Sequence, residues 1–237
     1  MYISVTAFLR ERNPRFFEGL DLSDVKTIMA AGTQRRFDAN TVIAHQGYSA
    51  GHLYLLLTGR LRRFFTTIDG RKIVLLRVTA GEVFGEAAVL AKPLEYLVSS
   101  EAVTNTTTLV WSRSTIRGLC GRYPRLLENT LLLSFDYLAG YRTAHASLVC
   151  DSAPQRLAQV LANLSAGIGQ KVPGGVELDI RNEELANEAH ISLFTASRLL
   201  SAWQRQGILE KRRGKILLRF PARLLRSSVT TSASFGT

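Results

Sequence analysis

Residues 191–207, ISLFTASRLLSAWQRQG, combine guanidinium groups and an aromatic ring on a segment with helical periodicity. At 100° per residue, small and apolar residues fall on one side, as in a helix packed on a core. The opposite side carries Phe194, Arg198, Ser201 and Arg205. Guanidinium groups donate paired hydrogen bonds to phosphate or to the edge of guanine, and an aromatic ring can contact the methyl group of thymine. This side of the predicted helix therefore has the chemistry of a nucleic-acid contact.

The positive charge of the chain is concentrated around the same segment. The 237 residues include 30 Lys and Arg against 19 Asp and Glu, a formal net charge of +11. Nine of the basic residues lie between Arg198 and Arg226, with Glu210 as the single acidic residue there, so this stretch contributes +8. A localised charge of this size indicates a partner with dense negative charge, either nucleic acid or anionic lipid. A merely solvated basic tail is the alternative.

The elements around this segment follow a specific order. An amphipathic helix is predicted over residues 155–166, followed by a loop at 167–175 and a short strand in VELDI. A short helix in RNEELANEA, the turn HIS and a helix from Leu193 to Gln206 come next, and then a hairpin with Gly214 at its tip. Two short helices joined by a three-residue turn and followed by a basic hairpin are typical of a winged helix-turn-helix.

In that motif the second helix enters the major groove of DNA. Ser192 is predicted to cap this helix, whose first amides favour phosphate. Arg198 can donate two hydrogen bonds to guanine, Phe194 can press on a thymine methyl group, and the basic hairpin can hold phosphates. The predicted DNA-contacting residues are Ser192, Phe194, Thr195, Ser197, Arg198, Ser201, Arg205, Lys211, Arg212, Arg213 and Lys215. The alternative is that Phe194 packs under a neighbouring domain and the arginines are solvated.

The first half of the chain has β-type patterning. From Phe37 to about Trp111, short apolar runs end in glycine, and Asp69-Gly70 has the two-residue hairpin signature. Closely spaced strands of this kind predict an antiparallel barrel or sandwich. The first twenty or so residues are predicted to form a short helical lead-in.

A long helix is predicted after the strands. Pro124 suits the first turn of a helix, and the segment from there to Val149 spans about 26 residues, or roughly 39 Å. Its apolar residues recur at three- and four-residue steps, which is typical of a helix that packs against a copy of itself. The predicted dimer contacts are Leu127, Leu131, Phe135, Leu138, His145 and Val149. The alternative is a helix packed on its own barrel. Residues 151–154 are predicted to form a hinge after it.

These elements predict an α+β chain of four parts. The parts are an N-terminal helical lead-in with an antiparallel β-barrel (residues 1–116), a long dimerisation helix (117–150), a winged helix-turn-helix domain (151–226) and a disordered tail (227–237). The tail, SSVTTSASFGT, is low in complexity and is therefore not expected to form a packed core.

In this order the chain resembles the Crp/Fnr family of bacterial transcription regulators over nearly its whole length. The matching segments are GHLYLLLTGRLR (51–62), DGRKIVLLRVTAGEVFGEAAVL (69–90), PQRLAQVLANL (154–164) and LANEAHISLFTASRLLSAWQRQGIL (185–209). The resemblance implies that residues 1–116 contain an effector or sensor β-barrel of the jelly-roll type, similar to a cyclic-nucleotide-binding domain. It implies also that a homodimer binds a near-palindromic double-stranded DNA operator. It also implies RNA polymerase as a partner if the protein activates transcription.

The resemblance also implies an effector pocket, and this sequence departs from it. In cyclic-nucleotide-binding relatives a Gly-Glu pair is followed about ten residues on by Arg-Ser, which clamps the cyclic phosphate. Here the pair is Gly85-Glu86, but Tyr96 and Leu97 stand where Arg-Ser is expected. The candidate pocket residues are Gly85, Glu86, Ala87, Tyr96, Leu97, Tyr141 and Arg142. Because a buried phosphate needs a cation, cyclic AMP is not expected to bind tightly, and no cofactor is firmly implied.

The predicted DNA-reading helix departs from the family as well. Many relatives carry a glutamate where Phe194 stands, and that carboxylate accepts a hydrogen bond from cytosine. Arg198 matches the base-contacting arginine of the family, and Ser197 matches the serine before it in many members. Replacing the carboxylate by a ring is therefore predicted to shift the preferred half-site toward thymine.

Other classes of protein are less well supported. Two cysteines, Cys120 and Cys150, are too few for an iron–sulfur cluster and are expected to be buried reduced thiols in a cytoplasmic protein. His45 and His52 are candidate haem ligands, although a lone loop histidine is more often a surface residue. No apolar run predicts a membrane span, and no nucleophile–base set or phosphate-cradling loop predicts an enzyme. The rival hypothesis is a small-molecule or cyclic-nucleotide receptor whose basic C-terminus docks on an acidic protein or a lipid surface.

Overall fold

The computed structural model describes residues 5–212, 214–220 and 224, so Arg213 and the tail at 227–237 lie outside the described residues. The chain divides into two compact units, Met1–Tyr141 and Arg142–Thr237. The predicted α+β class is confirmed, with antiparallel N-terminal sheets, a long helix and a C-terminal helix-turn-helix.

The described strands of the first unit form two antiparallel sheets. They are β1 (Thr33–Phe37), β2 (Val42–Ala44), β3 (His52–Thr58), β4 (Arg60–Thr66), β5 (Lys72–Thr79), β6 (Val83–Phe84), β7 (Ser99–Ala102) and β8 (Thr106–Ser112). The strand orders are β1-β8-β3-β6 and β2-β7-β4-β5. Because the two sheets are separate, the predicted barrel is a sandwich with a shared core and not a closed cylinder.

The continuous apolar run of β3 reflects burial on both of its faces. Leu53 and Leu55 pack with the N-terminal helices, whereas Tyr54 and Leu56 lie in the core between the two sheets. In that second core the rings of Tyr54 and Phe84 are stacked, with their centroids 4.7 Å apart. A strand covered on only one face would instead alternate apolar and polar residues.

Helices precede and follow the strands in this unit. They are α1 (Val5–Arg12), α2 (Leu22–Ala30), α3 (Arg113–Arg122) and α4 (Pro124–Cys150). Helix α4 has 27 residues and begins at the proline predicted to start it. The side-chain amide of Asn129 on α4 is buried and donates to the carbonyls of Phe16 (3.0 Å) and Glu18 (2.9 Å). These two hydrogen bonds anchor the first half of α4 to the N-terminal segment.

The second unit packs its helices on one antiparallel sheet. After the last turns of α4 come α5 (Ala153–Gly167), β9 (Gln170–Val172), β10 (Gly175–Asp179), α6 (Asn182–Glu188), α7 (Leu193–Arg205), β11 (Leu209–Arg212) and β12 (Lys215–Leu218). The strand order is β11-β12-β10-β9. Leu199, Leu200 and Trp203 of α7 are buried with Leu157 and Leu161 of α5. The segment predicted as a loop contains β9, which pairs with β10.

Candidate nucleic-acid interface and effector pocket

A tight turn joins α6 to α7. His190 adopts a left-handed conformation there, with φ 51°, which costs a residue with a side chain about 1–2 kcal/mol. The N–H of Ile191 donates to the carbonyl of Ala186 at 3.0 Å. Ala186 is buried in the same core as the apolar side of α7, so the two helices pack closely at this small residue.

Ser192 caps α7, which confirms the predicted start of this helix. Its Oγ accepts a hydrogen bond from the N–H of Thr195 at 3.1 Å, and the hydroxyl oxygens of the two residues lie 2.9 Å apart. First-turn amides of a helix have no acceptor within that helix and form the positive end of its dipole. The start of α7 is therefore suited to a phosphate group.

The two sides of α7 differ sharply in exposure. The buried side is represented by Trp203, which is fully buried, whereas Phe194 on the other side is 76% exposed. Arg198 and Arg205 are exposed on the side of Phe194. Leu193, in the first turn, is 53% exposed, although the helical period places it close to the buried Leu200, seven residues further along. The start of α7 thus presents hydrocarbon beside positive charge.

The hairpin β11–β12 is partly neutralised by acidic residues. Glu177 on β10 pairs with Lys215 (2.5 Å) and Arg212 (3.5 Å), and Glu210 pairs with Arg212 (3.1 Å) and Arg219 (3.0 Å). The hydrogen bond from Lys215 lowers the pKa of Glu177, and the hydrogen bond from Arg219 lowers the pKa of Glu210. Two of the predicted phosphate contacts, Arg212 and Lys215, are therefore already paired, which the sequence did not predict.

Lys211 connects this hairpin to α7. Its Nζ donates to the Oγ of Ser201 at 3.2 Å, and that hydroxyl donates to the carbonyl of Ser197 at 2.8 Å. The backbone N–H of Lys211 also donates to Oε1 of Gln204, at 3.3 Å. Three predicted DNA-contacting residues are thus brought into one hydrogen-bonded group.

Arg156 links the start of α5 to the helix-turn-helix. Its guanidinium donates to the carbonyls of Asp151 (2.7 Å), Ala189 (3.0 Å) and His190 (3.4 Å). Burial, and then the charge of Arg156, lower the pKa of His190. Sequence patterns do not single out Arg156, because its partners are backbone carbonyls up to 34 residues away.

The Gly-Glu pair lies at a tight turn of the first unit. Gly85 has φ 84°, and a Cβ there would lie 2.6 Å from the carbonyl oxygen of His52, so the turn requires glycine. Glu86 forms a bidentate ion pair with Arg63, at 3.0 and 3.2 Å. The side chains of Arg63 and Glu86 are only 12% and 13% exposed. Ala87, which follows Glu86 in the sequence, is half-buried.

Arg63 is the residue of this cluster that sequence reasoning missed. It stands two residues after the buried Leu61 on β4, and alternation along a strand places both on the inner face. Its guanidinium lies over the ring of Tyr137 on α4, 5.2 Å from the centroid, and the Tyr137 hydroxyl donates to the carbonyl of Val83 at 3.1 Å. Burial lowers the pKa of Arg63, but the nearby charge of Glu86 and the neighbouring tyrosines outweigh it, so the net shift is upward. The Nε of Arg63 is buried and has no hydrogen-bond partner within the described part of the chain.

The structure does not gather all the other predicted pocket residues around this pair. The hydroxyl of Tyr96 accepts from the N–H of His52 (3.0 Å) and donates to its carbonyl (2.8 Å), so both of its polar functions are used. Leu97 is 82% exposed, and Arg142 is exposed. Tyr141 is half-buried, and burial raises the pKa of its hydroxyl.

The two cysteines differ from each other in exposure. Cys120 is half-buried, and burial raises its pKa to about 11. Cys150 is exposed, so the expectation of a buried thiol is wrong at this position, which is the last residue of α4. Among the described residues, no group of three His, Cys, Asp or Glu is arranged to hold a metal ion. The described helices include none with the length and apolar character needed to cross a membrane.

Comparison with known families accounts for both units. A model of the cyclic nucleotide-binding domain matches residues 34–123, and a model of the Crp-like helix-turn-helix domain matches residues 155–227. The chain belongs to the Crp/Fnr family. Its relatives are transcription regulators and not enzymes, and this Crp/Fnr chain is a DNA-binding transcription regulator.

Individual relatives of this Crp/Fnr chain match it over most of its length. It is 29% identical to the cyclic AMP receptor protein of Thermus thermophilus, over 88% of this chain and 94% of that protein. It is 21% identical to the CRP-like cAMP-activated global transcriptional regulator of Mycobacterium tuberculosis, over 89% of this chain and 94% of that protein. The solved structure of the c-di-GMP responsive global regulator CLP of Xanthomonas campestris shares the fold with a TM-score of 0.74 and 23% identity, covering 84% of this chain and 99% of that one.

Proposed function

We propose that this regulator acts as a homodimer that recognises a near-palindromic operator by inserting α7 into the major groove. The observation that carries the proposal is the side of α7 with Phe194, Arg198 and Arg205 exposed, opposite a fully buried side. In a dimer of this kind the two half-sites lie one helical turn apart, about 34–36 Å. The operator is expected to be near-palindromic because each subunit presents the same helix.

Each contact in this proposal has its own task. Arg198 reads guanine through two hydrogen bonds, which contribute about 1–3 kcal/mol of discrimination. Phe194 contacts a thymine methyl group, with Thr195 and Ser197 beside it in the groove. Ser192 and the first amides of α7 bind a phosphate. The remaining proposed phosphate contacts, which set the register of the helix, are Ser201, Arg205, Lys211, Arg212 and Lys215.

The hairpin contacts come with a competing interaction. Arg212 and Lys215 are both paired with Glu177, so a phosphate has to replace a carboxylate as their partner. Replacing the carboxylate of Glu177 by a phosphate contributes less binding free energy than binding a phosphate to a cation without a carboxylate partner. We therefore place most of the phosphate affinity of each subunit at the start of α7 and at Arg205.

The exposed face of α4 supports the dimer. The apolar side chains of the predicted seam are between 45% and 73% exposed, namely Leu127, Leu131, Phe135, Leu138 and Val149. His145 is exposed as well. A row of large apolar side chains along one helix is costly to leave in water, and a second copy of the same helix would cover it.

The effector in this proposal is not cyclic AMP. Relatives carry that nucleotide in their names, but here Tyr96 is hydrogen-bonded to backbone, Leu97 is exposed, and the one buried cation of the cluster, Arg63, is held by Glu86. A cyclic phosphate would have to displace Glu86 and leave its carboxylate without a partner. We propose that the protein responds to another effector or acts without one. If an effector exists, it shifts the hinge near residues 151–154 between two orientations of the DNA-binding part.

The proposed division of labour follows the predicted parts of the chain. Residues 1–116 sense or scaffold, residues 117–150 dimerise, and residues 151–226 bind DNA, with Arg213 in the last part outside the described residues. RNA polymerase is a further partner if the protein activates transcription.

Selection of bound duplexes from a random DNA library tests this proposal, run with and without a cell extract of small metabolites. The expected result is a near-palindromic consensus and an affinity that falls steeply with salt. Arg198→Ala is expected to weaken discrimination at one base pair of each half-site, and calorimetry is expected to detect no tight binding of cyclic AMP.

The rival class of function predicts a different outcome. A receptor whose basic C-terminus docks on an acidic protein or a lipid surface would bind duplexes with salt dependence but without sequence preference. Recovery of random sequences from the selection, with intact binding by the Arg198→Ala variant, would overturn the proposed function.

A further inference from the structure

The first turn of α7 exposes two large apolar side chains in a positively charged setting. Leu193 is 53% exposed and Phe194 is 76% exposed, and we call them the apolar pair. Arg198 is exposed one turn further along the helix. An apolar surface that lies beside a cation and at the positive end of a helix is complementary to a partner that carries both negative charge and exposed hydrocarbon. DNA meets both conditions, through its phosphates and through the methyl groups of bases in the major groove.

The polar atoms nearest to the apolar pair already have partners within the protein. The hydroxyls of Ser192 and Thr195 are hydrogen-bonded to each other, and the Ser192 hydroxyl also accepts from a backbone N–H. The first turn of α7 therefore presents hydrocarbon to a base edge, with no carboxylate or amide side chain within the turn. Hydrocarbon can neither donate nor accept a hydrogen bond.

Resting on the proposed insertion of α7 into the major groove, we infer that the apolar pair recognises the C5-methyl group of a pyrimidine and accepts 5-methylcytosine in place of thymine. Thymine and 5-methylcytosine carry the same methyl group at C5 and differ at position 4, where one has a carbonyl and the other an amino group. Leu193 and Phe194 have no polar atom that distinguishes these two groups. Unmethylated cytosine and uracil lack the methyl group, and the apolar pair gains nothing from them.

A consequence for regulation follows from this chemistry. Methylation of a cytosine at the contacted position converts a weak operator into a stronger one without any change of sequence. The regulator would thereby respond to the methylation state of its DNA in addition to its base sequence.

Two matched comparisons of synthetic operators test the inference, each differing by methyl groups alone. In the first, each thymine of the selected operator is replaced in turn by uracil; in the second, a C·G pair at the sensitive position is compared with 5-methylcytosine·G. Burial of one methyl group corresponds to about a fourfold change in affinity, and symmetrical replacement in both half-sites to about fifteenfold. In both comparisons the affinity is expected to fall by this factor when the methyl group is absent. Fluorescence anisotropy with the full-length protein measures the affinity.

Variants assign the effect to the apolar pair. Leu193→Ala and Phe194→Ala are each expected to bring the methylated-to-unmethylated ratio closer to one, and the double variant to abolish it. Phe65→Ala removes an exposed ring from β4 and serves as the matched control, with the ratio unchanged. The ratio compares two DNAs on one protein preparation, so a loss of folded protein does not imitate the effect.

The outcomes separate this inference from the proposed function. A sequence-specific operator that binds equally well with uracil or thymine at every position, and with cytosine or 5-methylcytosine, overturns methyl recognition and leaves DNA binding intact. Absence of any sequence preference overturns the proposed function itself.

Discussion

Arg63 places a positive charge inside the first unit, where removal from water disfavours ions unless a partner compensates. Glu86 compensates through two hydrogen bonds, at 3.0 and 3.2 Å, and the ring of Tyr137 adds a cation–π contact. Since Tyr137 belongs to α4, this residue cluster also joins the sandwich to the long helix.

Removal of one member of the pair is expected to cost far more than removal of both. Arg63→Leu leaves Glu86 buried without its cation, and the free energy of unfolding is expected to fall by about 3–5 kcal/mol. The double variant Arg63→Leu with Glu86→Leu is expected to recover most of that loss, because apolar side chains of similar volume replace the pair. Urea denaturation of the wild type and three variants measures these differences. A double variant as unstable as Arg63→Leu would show that the ion pair is not the source of the effect.

Two histidines are expected to make stability depend on pH. Burial, followed by a neighbouring arginine charge, lowers the pKa of His190 and of His52 below the ordinary value of 6.5. As the pH falls through 6.5, the unfolded chain binds protons before the folded one does, so the free energy of unfolding decreases. Thermal unfolding between about pH 7.5 and 5.5 measures the loss. His190→Gln and His52→Gln are each expected to flatten this dependence, and His45→Gln, which changes an exposed imidazole, is the control; a slope insensitive to the first two variants would contradict the prediction.

At the scale of elements, the bounds of α7 could be predicted from the sequence pattern alone. Its apolar residues recur with the helical period and its cap is a serine, so the predicted bounds, Leu193 to Gln206, agree with Leu193–Arg205 within one residue. Strand β9 was not predicted because two of its three residues, Gln170 and Lys171, are polar and exposed, and the strand is defined by its pairing with β10. Such pairing is a long-range property that a local window does not contain.

The residues of the candidate sites likewise differ in how well the sequence predicts them. Exposure of Phe194 and Arg198 follows from the position of each on one helix, and it was predictable. The partners of Arg63 and Arg156 were not, because each joins groups on different elements. Strand alternation predicts that Arg63 faces inward, but it does not predict that Arg63 pairs with Glu86. That partner follows a turn, 23 residues away, that requires glycine at position 85.

Helix α4 carries an element-scale prediction about assembly. Leu131 and Phe135 are 57% and 60% exposed on the proposed seam, and Leu131→Glu or Phe135→Glu would place a charge in a helix–helix contact. Sedimentation is expected to show conversion of dimer to monomer with the fold retained by circular dichroism. Leu22→Glu, at an exposed leucine on α2, is the matched control and is expected to leave the dimer intact. A monomeric wild type, or a dimer unaffected by both seam variants, would exclude this seam.

At the scale of the whole molecule, the proposed dimer seam and the main concentration of positive charge lie in different parts of the chain. The exposed apolar seam belongs to α4, whereas +8 of the net +11 belongs to residues 198–226. A local excess of positive charge raises affinity for any duplex, and sequence preference then depends on the few side chains that reach base edges.

The difference between general affinity for a duplex and preference for one sequence predicts distinct effects of two arginines on α7. Arg205→Gln removes one proposed phosphate contact per subunit, so the slope of log affinity against log salt is expected to decrease by about two for the dimer. The consensus recovered by selection is expected to stay the same. Arg198→Gln is expected to change the consensus at one base pair of each half-site. Equal loss of sequence preference in both variants would contradict the assignment of roles.

One guanidinium, that of Arg156, holds the carbonyl of Asp151 at one end and those of Ala189 and His190 at the other. The segment that follows the long helix and the turn between α6 and α7 are therefore bridged by a single side chain. A rotation of the backbone at Asp151 therefore displaces Ala189 and His190 as well, unless one of the hydrogen bonds from Arg156 breaks. This one side chain couples the two segments directly.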